Sequence, residues 1–169
     1  MKIIHIDENH PILLKSLNKI GHENIVAYKL SKKKISSIIA EFDGIVIRSR
    51  FNIDKNFISK TKNLNFIARV GSGLENIDVD AAKEKGIILF SAPEGNSNSV
   101  GEHAIGMLLS MLNKLRLAHK SIQNGNWLRE QHRGYEITGK VVGIIGYGNT
   151  GRSFAEKLKG FQVKVLFHD

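Results

Sequence analysis

The sequence predicts an α/β protein built on parallel sheets, and two observations carry that prediction. Along the first 98 residues, short apolar runs of strand length alternate with segments of helix length, which is the pattern of successive βα units. From Lys140 to Asp169, an apolar run, a glycine-rich turn, an amphipathic segment and a second apolar run follow one another, as in one βαβ unit. We therefore expect two domains, residues 1–98 and residues 99–169.

Five strands are predicted in the first domain, each a short run bounded by polar residues or glycine. These runs are Lys2–Ile6, Asn24–Tyr28, Gly44–Ile47, Asn65–Val70 and Ile87–Phe90. The helices between them begin at residues that suit a helix start. Pro11 fits a first turn, Ser31 can cap the second helix, and Asp54 precedes the third. A fourth helical turn, Val79–Lys85, stops at Gly86.

One long helix is predicted from Ser99 to about Ile122. Ser99 can cap it, and Glu102 stands three residues further on, as a capping box requires. The first half of this helix is apolar all round, so we expect it to be buried between layers. After it, Trp127 begins an irregular arm, and we expect this aromatic side chain to pack on a neighbouring surface or subunit.

The second domain begins with Val141–Ile145, an apolar run too short for a helix, which predicts a buried parallel strand. A helix follows through Phe154 and Leu158 and ends at Gly160. A second strand, Val163–Phe167, closes the unit.

The turn between strand and helix has the spacing G-x-G-x-x-G, formed by Gly146, Gly148 and Gly151. The first glycine allows a tight turn, the second lets a pyrophosphate approach the backbone, and the third lets helix and strand pack closely. Free N–H groups at the helix start, near Asn149 and Thr150, would face a phosphate. The alternative is a turn that is rich in glycine for packing alone.

An acidic residue, Asp169, stands at the tip of the second strand, 18 positions after the last glycine of the turn. At this place a carboxylate accepts hydrogen bonds from the adenosine ribose hydroxyls of a dinucleotide. Its charge would repel a 2′-phosphate, so the sequence favours NAD over NADP as the cofactor.

Two features lie beyond the carboxyl ends of strands in the first domain, where open α/β sheets bind ligands. Arg48 and Arg50 follow the third strand, and either can grip a carboxylate or phosphate, although only one can point inward from a strand end. A glycine loop follows the fourth strand and can offer several N–H groups to an anion. Its residues are Val70, Gly71, Ser72 and Gly73. The alternatives are that the arginines are solvent-exposed surface charges and that the loop is a turn without a binding role.

Composition limits the classes of function that remain. The 169 residues contain no cysteine, which excludes disulfides, thiolate catalysis and cysteine-based zinc sites. No apolar run reaches membrane-spanning length and no signal-peptide pattern is present, so we expect a cytoplasmic protein without a membrane partner. The net charge of +9 raises the possibility of nucleic-acid binding. Because the lysines are scattered, with Lys32–Lys34 as the single run, we favour a solvated surface over a nucleic-acid partner.

Four segments in the same order resemble the D-isomer-specific 2-hydroxyacid dehydrogenases. Ile47–Arg50 is similar to the family's substrate-arginine segment, and Ala68–Asp78 to its substrate loop. Asn96–His103 resembles the crossover into the cofactor domain, and Gly139–Gly148 resembles the NAD segment. The resemblance covers nearly the whole chain. It implies a flavodoxin-like substrate domain, then a crossover helix and the first βαβ unit of a Rossmann NAD-binding domain.

The resemblance also implies a reaction and roles for residues. The reaction is hydride transfer between NAD and carbon 2 of a 2-hydroxy or 2-keto acid. The glycine loop would hold the substrate carboxylate, Arg48 would neutralise a distal phosphate, and the dinucleotide turn with Asp169 would hold NAD. No residue of this chain stands at the family's catalytic Arg, Glu or His positions. We therefore expect a truncated dehydrogenase that has no turnover of its own. We also expect it to form a homodimer, because self-association would bury exposed apolar surface.

Two other classes of function stay open at this point. The same family contains corepressors that use the fold to sense NAD and bind partners, and the missing catalytic residues are compatible with that role. A nucleic-acid binder is suggested by charge alone and would show a steep dependence of affinity on salt.

Overall fold

The computed structural model describes all 169 residues, Met1 to Asp169. The chain forms two compact units, Met1–Pro93 and Glu94–Asp169. The boundary predicted between residues 98 and 99 falls within the first helix of the second unit. No helix combines the length and the apolar character that crossing a bilayer requires.

The first unit is a five-stranded parallel sheet with helices between successive strands. Its elements in chain order are β1 (Lys2–His5), α1 (Pro11–Lys19), β2 (Glu23–Val26), α2 (Lys32–Ile38), β3 (Gly44–Ile47), α3 (Lys55–Ser59), β4 (Phe66–Arg69), α4 (Val79–Glu84) and β5 (Ile88–Phe90). The strand order β2-β1-β3-β4-β5 is the flavodoxin-like order. The predicted fold class and all five predicted strands of this unit are confirmed.

The core of the first unit follows from the register of its central strands. Ile4 of β1 lies opposite Ile45 of β3, and Ile45 lies opposite Ile67 of β4. All three side chains are fully buried. Strand β3 is buried along its whole length because it has a neighbouring strand on each side and apolar side chains on both faces.

The predicted helix starts of the first unit are confirmed by their hydrogen bonds. The Ser31 hydroxyl accepts from Lys34 N at 3.3 Å, and the Asp54 carboxylate accepts from Phe57 N at 2.8 Å. Pro11 occupies the first turn of α1. Such caps satisfy N–H groups that have no partner inside the helix, so they fix where each helix begins.

The second unit contains three helices and a two-stranded parallel sheet. Its elements are α5 (Ser97–Leu112), α6 (Leu115–Gln123), β6 (Val141–Ile145), α7 (Asn149–Leu158) and β7 (Lys164–His168). Strands β6 and β7 run parallel from Val141 opposite Lys164 to Ile145 opposite His168. The predicted βαβ unit is thereby confirmed.

The prediction of one long helix from Ser99 to Ile122 is wrong, because the chain breaks between α5 and α6. Lys114 adopts a left-handed backbone conformation with φ of 51°, which a continuous helix cannot contain. The Asn113 side-chain amide donates to Leu109 O at 3.0 Å and so competes with the helical backbone.

The predicted capping box is also wrong. Helix α5 begins at Ser97, so Ser99 lies inside its first turn and its hydroxyl donates to Asn96 O at 2.9 Å. Glu102 accepts from the Asn98 side chain at 2.8 Å and does not reach back to a backbone N–H group.

Two expectations of burial in the second unit are not met either. Gly101 is the one buried residue of α5, and Met107 is 62% exposed. In β6, Ile144 is buried whereas Ile145 is 93% exposed. The run Val141–Ile145 has the composition of a strand that is buried on both faces of a sheet. In this two-stranded sheet one face has no packing layer, so the side chains on that face are exposed. Trp127 is 79% exposed, and its expected packing on a neighbouring surface or subunit stays a prediction.

Candidate functional site

The carboxyl edge of the first unit's sheet brings two strand ends together. Strands β1 and β3 are neighbours, and the chain changes its direction of winding between them, which is where open α/β sheets form a crevice. Asp7 follows β1, and one of its carboxylate oxygens accepts from Arg48 N at 2.6 Å. This bond fixes the backbone at the end of β3 and places Arg48 at the crevice.

The structure separates the two arginines that the sequence left as alternatives. The Arg50 guanidinium donates to three backbone carbonyls, those of Ile6, Ala27 and Leu30, at 2.9, 3.0 and 2.6 Å. Three of the five N–H donors of this guanidinium are therefore engaged within the protein. The Arg48 side chain is exposed and makes no hydrogen bond or ion pair with the protein. Arg48 is the free cation of the pair, and Arg50 ties chain segments together.

The glycine loop after β4 has both engaged and free N–H groups. Val70 N donates to Ile47 O at 2.8 Å, and Gly71 N donates to Arg69 O at 2.9 Å. The N–H groups of Ser72 and Gly73 have no partner within the protein. Within the predicted loop, these two adjacent donors are the ones available to an anion.

A third arginine, Arg69, lies beside this loop and was missed by the sequence analysis. Its Nε donates to Arg48 O at 3.3 Å, and its side chain is 19% exposed. The guanidinium lies against Gly71, where a Cβ would overlap it. Asn76 donates to the same Arg48 carbonyl at 3.2 Å, so the loop is tied to the end of β3 from two sides. The sequence shows Arg69 as the last residue of a strand, and the direction of its side chain does not follow from that position.

The second unit carries the glycine-rich turn, Gly146–Gly151, between β6 and α7. Gly146 has φ of +89°, in the region that favours glycine, and its N–H donates to His168 O at 2.8 Å. A Cβ on Gly151 would overlap the Gly146 carbonyl, so helix and turn meet closely there. A Cβ on Gly148 would meet open space, which is the space a ligand could approach. Each of the three glycines thus has the local surroundings that its position in the G-x-G-x-x-G spacing predicts.

The N-terminus of α7 offers uncapped donors beside that open space. Gly148 is the N-cap residue and has no side chain to cap the helix. The first backbone bond is Arg152 N to Gly148 O at 3.0 Å, so the N–H groups of Asn149, Thr150 and Gly151 point outward without a partner. Open backbone at Gly148 together with these donors fits the pyrophosphate of a dinucleotide.

Asp169 lies at the end of β7 next to the turn. One carboxylate oxygen accepts from Tyr147 N at 2.9 Å, which leaves the other oxygen without a protein partner. The Tyr147 ring stacks on Phe167 with centroids 4.0 Å apart. Arg152 donates through Nε to Tyr147 O at 3.1 Å. The sequence pointed to Asp169 but not to the roles of Tyr147 and Arg152 in fixing the turn, which depend on the pairing of β6 with β7.

One histidine, His5 on β1, is fully buried. Its Nε2 lies 2.8 Å from the Asn24 Oδ1, and burial holds the pKa of the imidazole below its ordinary value. The ring is enclosed within the sheet, so this histidine supports the fold.

Comparisons with known proteins agree with this geometry. A family model described as D-isomer specific 2-hydroxyacid dehydrogenase, catalytic domain, matches residues 3–163. The chain is 36% identical over its full length to D-3-phosphoglycerate dehydrogenase from Methanocaldococcus jannaschii, and it spans 32% of that protein. It is 37% identical to hydroxypyruvate reductase from Thermotoga maritima over 86% of the chain and 47% of that protein.

Solved structures give the same result for the fold. The NAD-dependent formate dehydrogenase from Staphylococcus aureus, solved in complex with NAD, superposes with a TM-score of 0.81 and 27% identity. The match covers the whole of this chain and 56% of that one. The chain thus spans about a third of the phosphoglycerate dehydrogenase named above and about half of the solved dehydrogenase.

Proposed function

The chain belongs to the D-isomer-specific 2-hydroxyacid dehydrogenase family, and from that premise we propose that it is part of an NAD-dependent D-3-phosphoglycerate dehydrogenase of serine biosynthesis. The reaction is oxidation of the CH–OH group of a D-2-hydroxy acid, for which NAD accepts the hydride. The first unit binds the substrate, and the second unit binds the cofactor.

The free cation at Arg48 is the observation that carries the substrate assignment. Ser72 and Gly73 offer two adjacent N–H groups for a carboxylate, and Arg48 follows the neighbouring strand with its guanidinium unengaged. A substrate with a carboxylate at one end and a phosphate at the other matches this arrangement of donors and charge. Hydroxypyruvate, which lacks the phosphate, would use the loop without needing Arg48.

NAD as the cofactor is supported by the open turn at Gly148 and by Asp169. The turn and the start of α7 would hold the pyrophosphate by backbone N–H groups. The free carboxylate oxygen of Asp169 would accept from the ribose hydroxyls, and its negative charge disfavours a 2′-phosphate.

Binding by this chain can be tested separately from turnover. We expect NAD to shift the amide NMR signals of Asn149, Thr150 and Gly151 in the 169-residue chain in a saturable manner. We also expect no measurable oxidation of NADH with 2-keto acids by the same chain, because none of its residues supplies the family's acid–base histidine. Saturable shifts elsewhere but not at α7 would contradict the proposed cofactor site. Robust NADH oxidation would contradict the expectation that this chain binds NAD without catalysing the reaction.

The preference for NAD over NADP depends on the charge of Asp169. Asp169→Asn keeps an oxygen that can accept from Tyr147 N but removes the negative charge. We expect NADP binding to strengthen by about tenfold relative to NAD, since like charges a few ångströms apart repel by roughly 1–2 kcal/mol at a solvated site. An unchanged ratio of the two dissociation constants would show that Asp169 does not set the preference.

We further propose that the protein is a homodimer that uses the apolar face of α5 and α6. Met107 and Met111 of α5 are 62% and 68% exposed, and Leu115 and Leu117 of α6 are 56% and 57% exposed. Several exposed large apolar side chains on two successive helices are typical of a protein–protein contact. Sedimentation of the chain at increasing concentration tests this proposal directly.

A further inference from the structure

The Glu75 carboxylate lies over the glycine loop of the first unit. A Cβ on Gly73 would overlap this carboxylate, so the absence of a side chain at Gly73 makes room for it. Glu75 Oε2 is 3.9 Å from Arg69 Nη2, which is an ion pair but too long for a hydrogen bond. The contact with Arg69 is the one polar interaction that the Glu75 carboxylate makes within the protein. A negative group thus stands beside the free donors without being bonded to them.

Arg69 is the cation at this position, and most of its donors are unused. One donor, Nε, is bonded to Arg48 O at 3.3 Å, while the terminal nitrogens have no acceptor within hydrogen-bond distance. The side chain is 19% exposed, so its charge is less screened than that of a solvated arginine. It is suited to a bidentate contact with a carboxylate, which Glu75 does not make at its present distance.

We propose that Glu75 is a built-in competitor for the substrate carboxylate. Its carboxylate occupies the neighbourhood of Gly73 and Arg69, and an incoming carboxylate must displace it to reach the free N–H groups of Ser72 and Gly73. Because the Glu75 side chain is 79% exposed, it can swing into solvent without disturbing the core. This proposal rests on the proposed function, in which the loop binds a carboxylate.

If Glu75 competes in this way, the loop binds acids that carry only one negative group poorly. A ligand with a second negative group held by Arg48 would displace Glu75 more readily than one with a carboxylate alone. Glu75 therefore determines specificity, and it acts on the binding of the acid and not on the chemistry. Its removal should help small monocarboxylates most.

The test is titration of the 169-residue chain with D-glycerate at fixed ionic strength, observed at the Ser72 and Gly73 amide NMR signals. Glu75→Gln keeps the size of the side chain and removes its charge. We expect the dissociation constant for D-glycerate to fall by about fivefold, because the ligand no longer has to break an ion pair between charges about 4 Å apart in water. Glu84→Gln is the matched control, because Glu84 is an exposed carboxylate on α4 that pairs with Lys55 at 3.7 Å. It should leave the dissociation constant within about twofold.

A double variant tests whether Arg69 is the shared cation. In the Arg69→Gln background, Glu75→Gln should give a clearly smaller gain in affinity than it gives in the parent chain, since the freed cation is then absent. An equal gain in both backgrounds would overturn the competition for Arg69.

The outcomes separate this inference from the proposed function. Saturable binding with the same dissociation constant in the parent chain and in Glu75→Gln would overturn the competitor role and leave the carboxylate site intact. Absence of any saturable shift at Ser72 and Gly73 in both proteins would overturn the carboxylate site and the competitor role together. Glycerol, which lacks the carboxylate, should produce no saturable shift in either protein.

Discussion

Replacing Arg50 by methionine should destabilise the first unit even though Arg50 lies at the edge of its sheet. The guanidinium donates to three backbone carbonyls, at 2.9, 3.0 and 2.6 Å, in the segments that follow β1 and β2. Because solvent reaches Arg50, we assign about 0.5 kcal/mol to each bond, at the low end of the usual range, and about 1.5 kcal/mol in total. For a domain of this size, that loss lowers Tm by roughly 6–12 °C.

Arg48→Met is the matched control, since it removes the same charge two residues earlier from a side chain with no protein partner. We expect it to change the free energy of unfolding by less than about 0.5 kcal/mol. Loss of the β3 amide NMR signals on heating reports the first unit alone and gives Tm for each variant. The reasoning would be refuted if both variants lowered Tm equally, or if Arg50→Met left it unchanged.

Three further predictions concern stability and assembly. Lys85 donates to three backbone carbonyls at and after the end of α3, at 2.8, 3.1 and 2.9 Å. Lys85→Met should therefore lower the free energy of unfolding, measured by urea titration, by about 1 kcal/mol. Lys83→Met, which removes a lysine without such bonds, should leave it unchanged. Burial lowers the pKa of His5 from its ordinary 6.5, so below that pH the unfolded chain takes up a proton that the folded chain resists, and stability falls. His5→Gln should weaken this loss of Tm between about pH 7 and pH 5, and an identical loss in both proteins would contradict the assignment. Met111 is 68% exposed, so Met111→Lys should shift sedimentation towards the monomer, and an unaltered profile would exclude this face from the contact.

The strands and most helix starts were predictable because local chemistry specifies them. Ser31, Asp54 and Pro11 each act within their own helix turn, so three or four residues of sequence contain the whole signal. The glycine-rich turn after β6 was predictable for the same reason, since Gly146 needs its positive φ whatever lies around it.

The errors arose where the outcome depends on distant parts of the chain. The break at Lys114 is a left-handed residue that neither glycine nor proline marks, and Asn113 before it is a poor helix former whose effect the apolar pattern does not show. The exposure of Ile145 depends on how many strands join β6, which an apolar run does not specify. The pattern alone gave no basis for either feature.

The candidate site likewise contains features that the local sequence specifies and features that depend on distant parts of the chain. The sequence located the glycine loop and the two arginines after β3, but it left Arg48 and Arg50 equivalent, because both follow the strand end. Only the positions of the carbonyls beyond β1 and β2 decide between them. Arg69 was not recognised because its guanidinium reaches Arg48 O, just beyond the end of the neighbouring strand, a contact made by strand pairing.

We propose that these residues serve an NAD-dependent dehydrogenase of D-3-phosphoglycerate. The most direct test is a steady-state assay on the purified product of the complete reading frame that contains them, with NAD and D-3-phosphoglycerate, D-glycerate or D-lactate. We predict NADH formation with the highest kcat/KM for D-3-phosphoglycerate, and a selective loss of that preference in Arg48→Met. Reduction of NAD with none of these acids, or a preference for D-lactate that Arg48→Met does not alter, would contradict the proposed function.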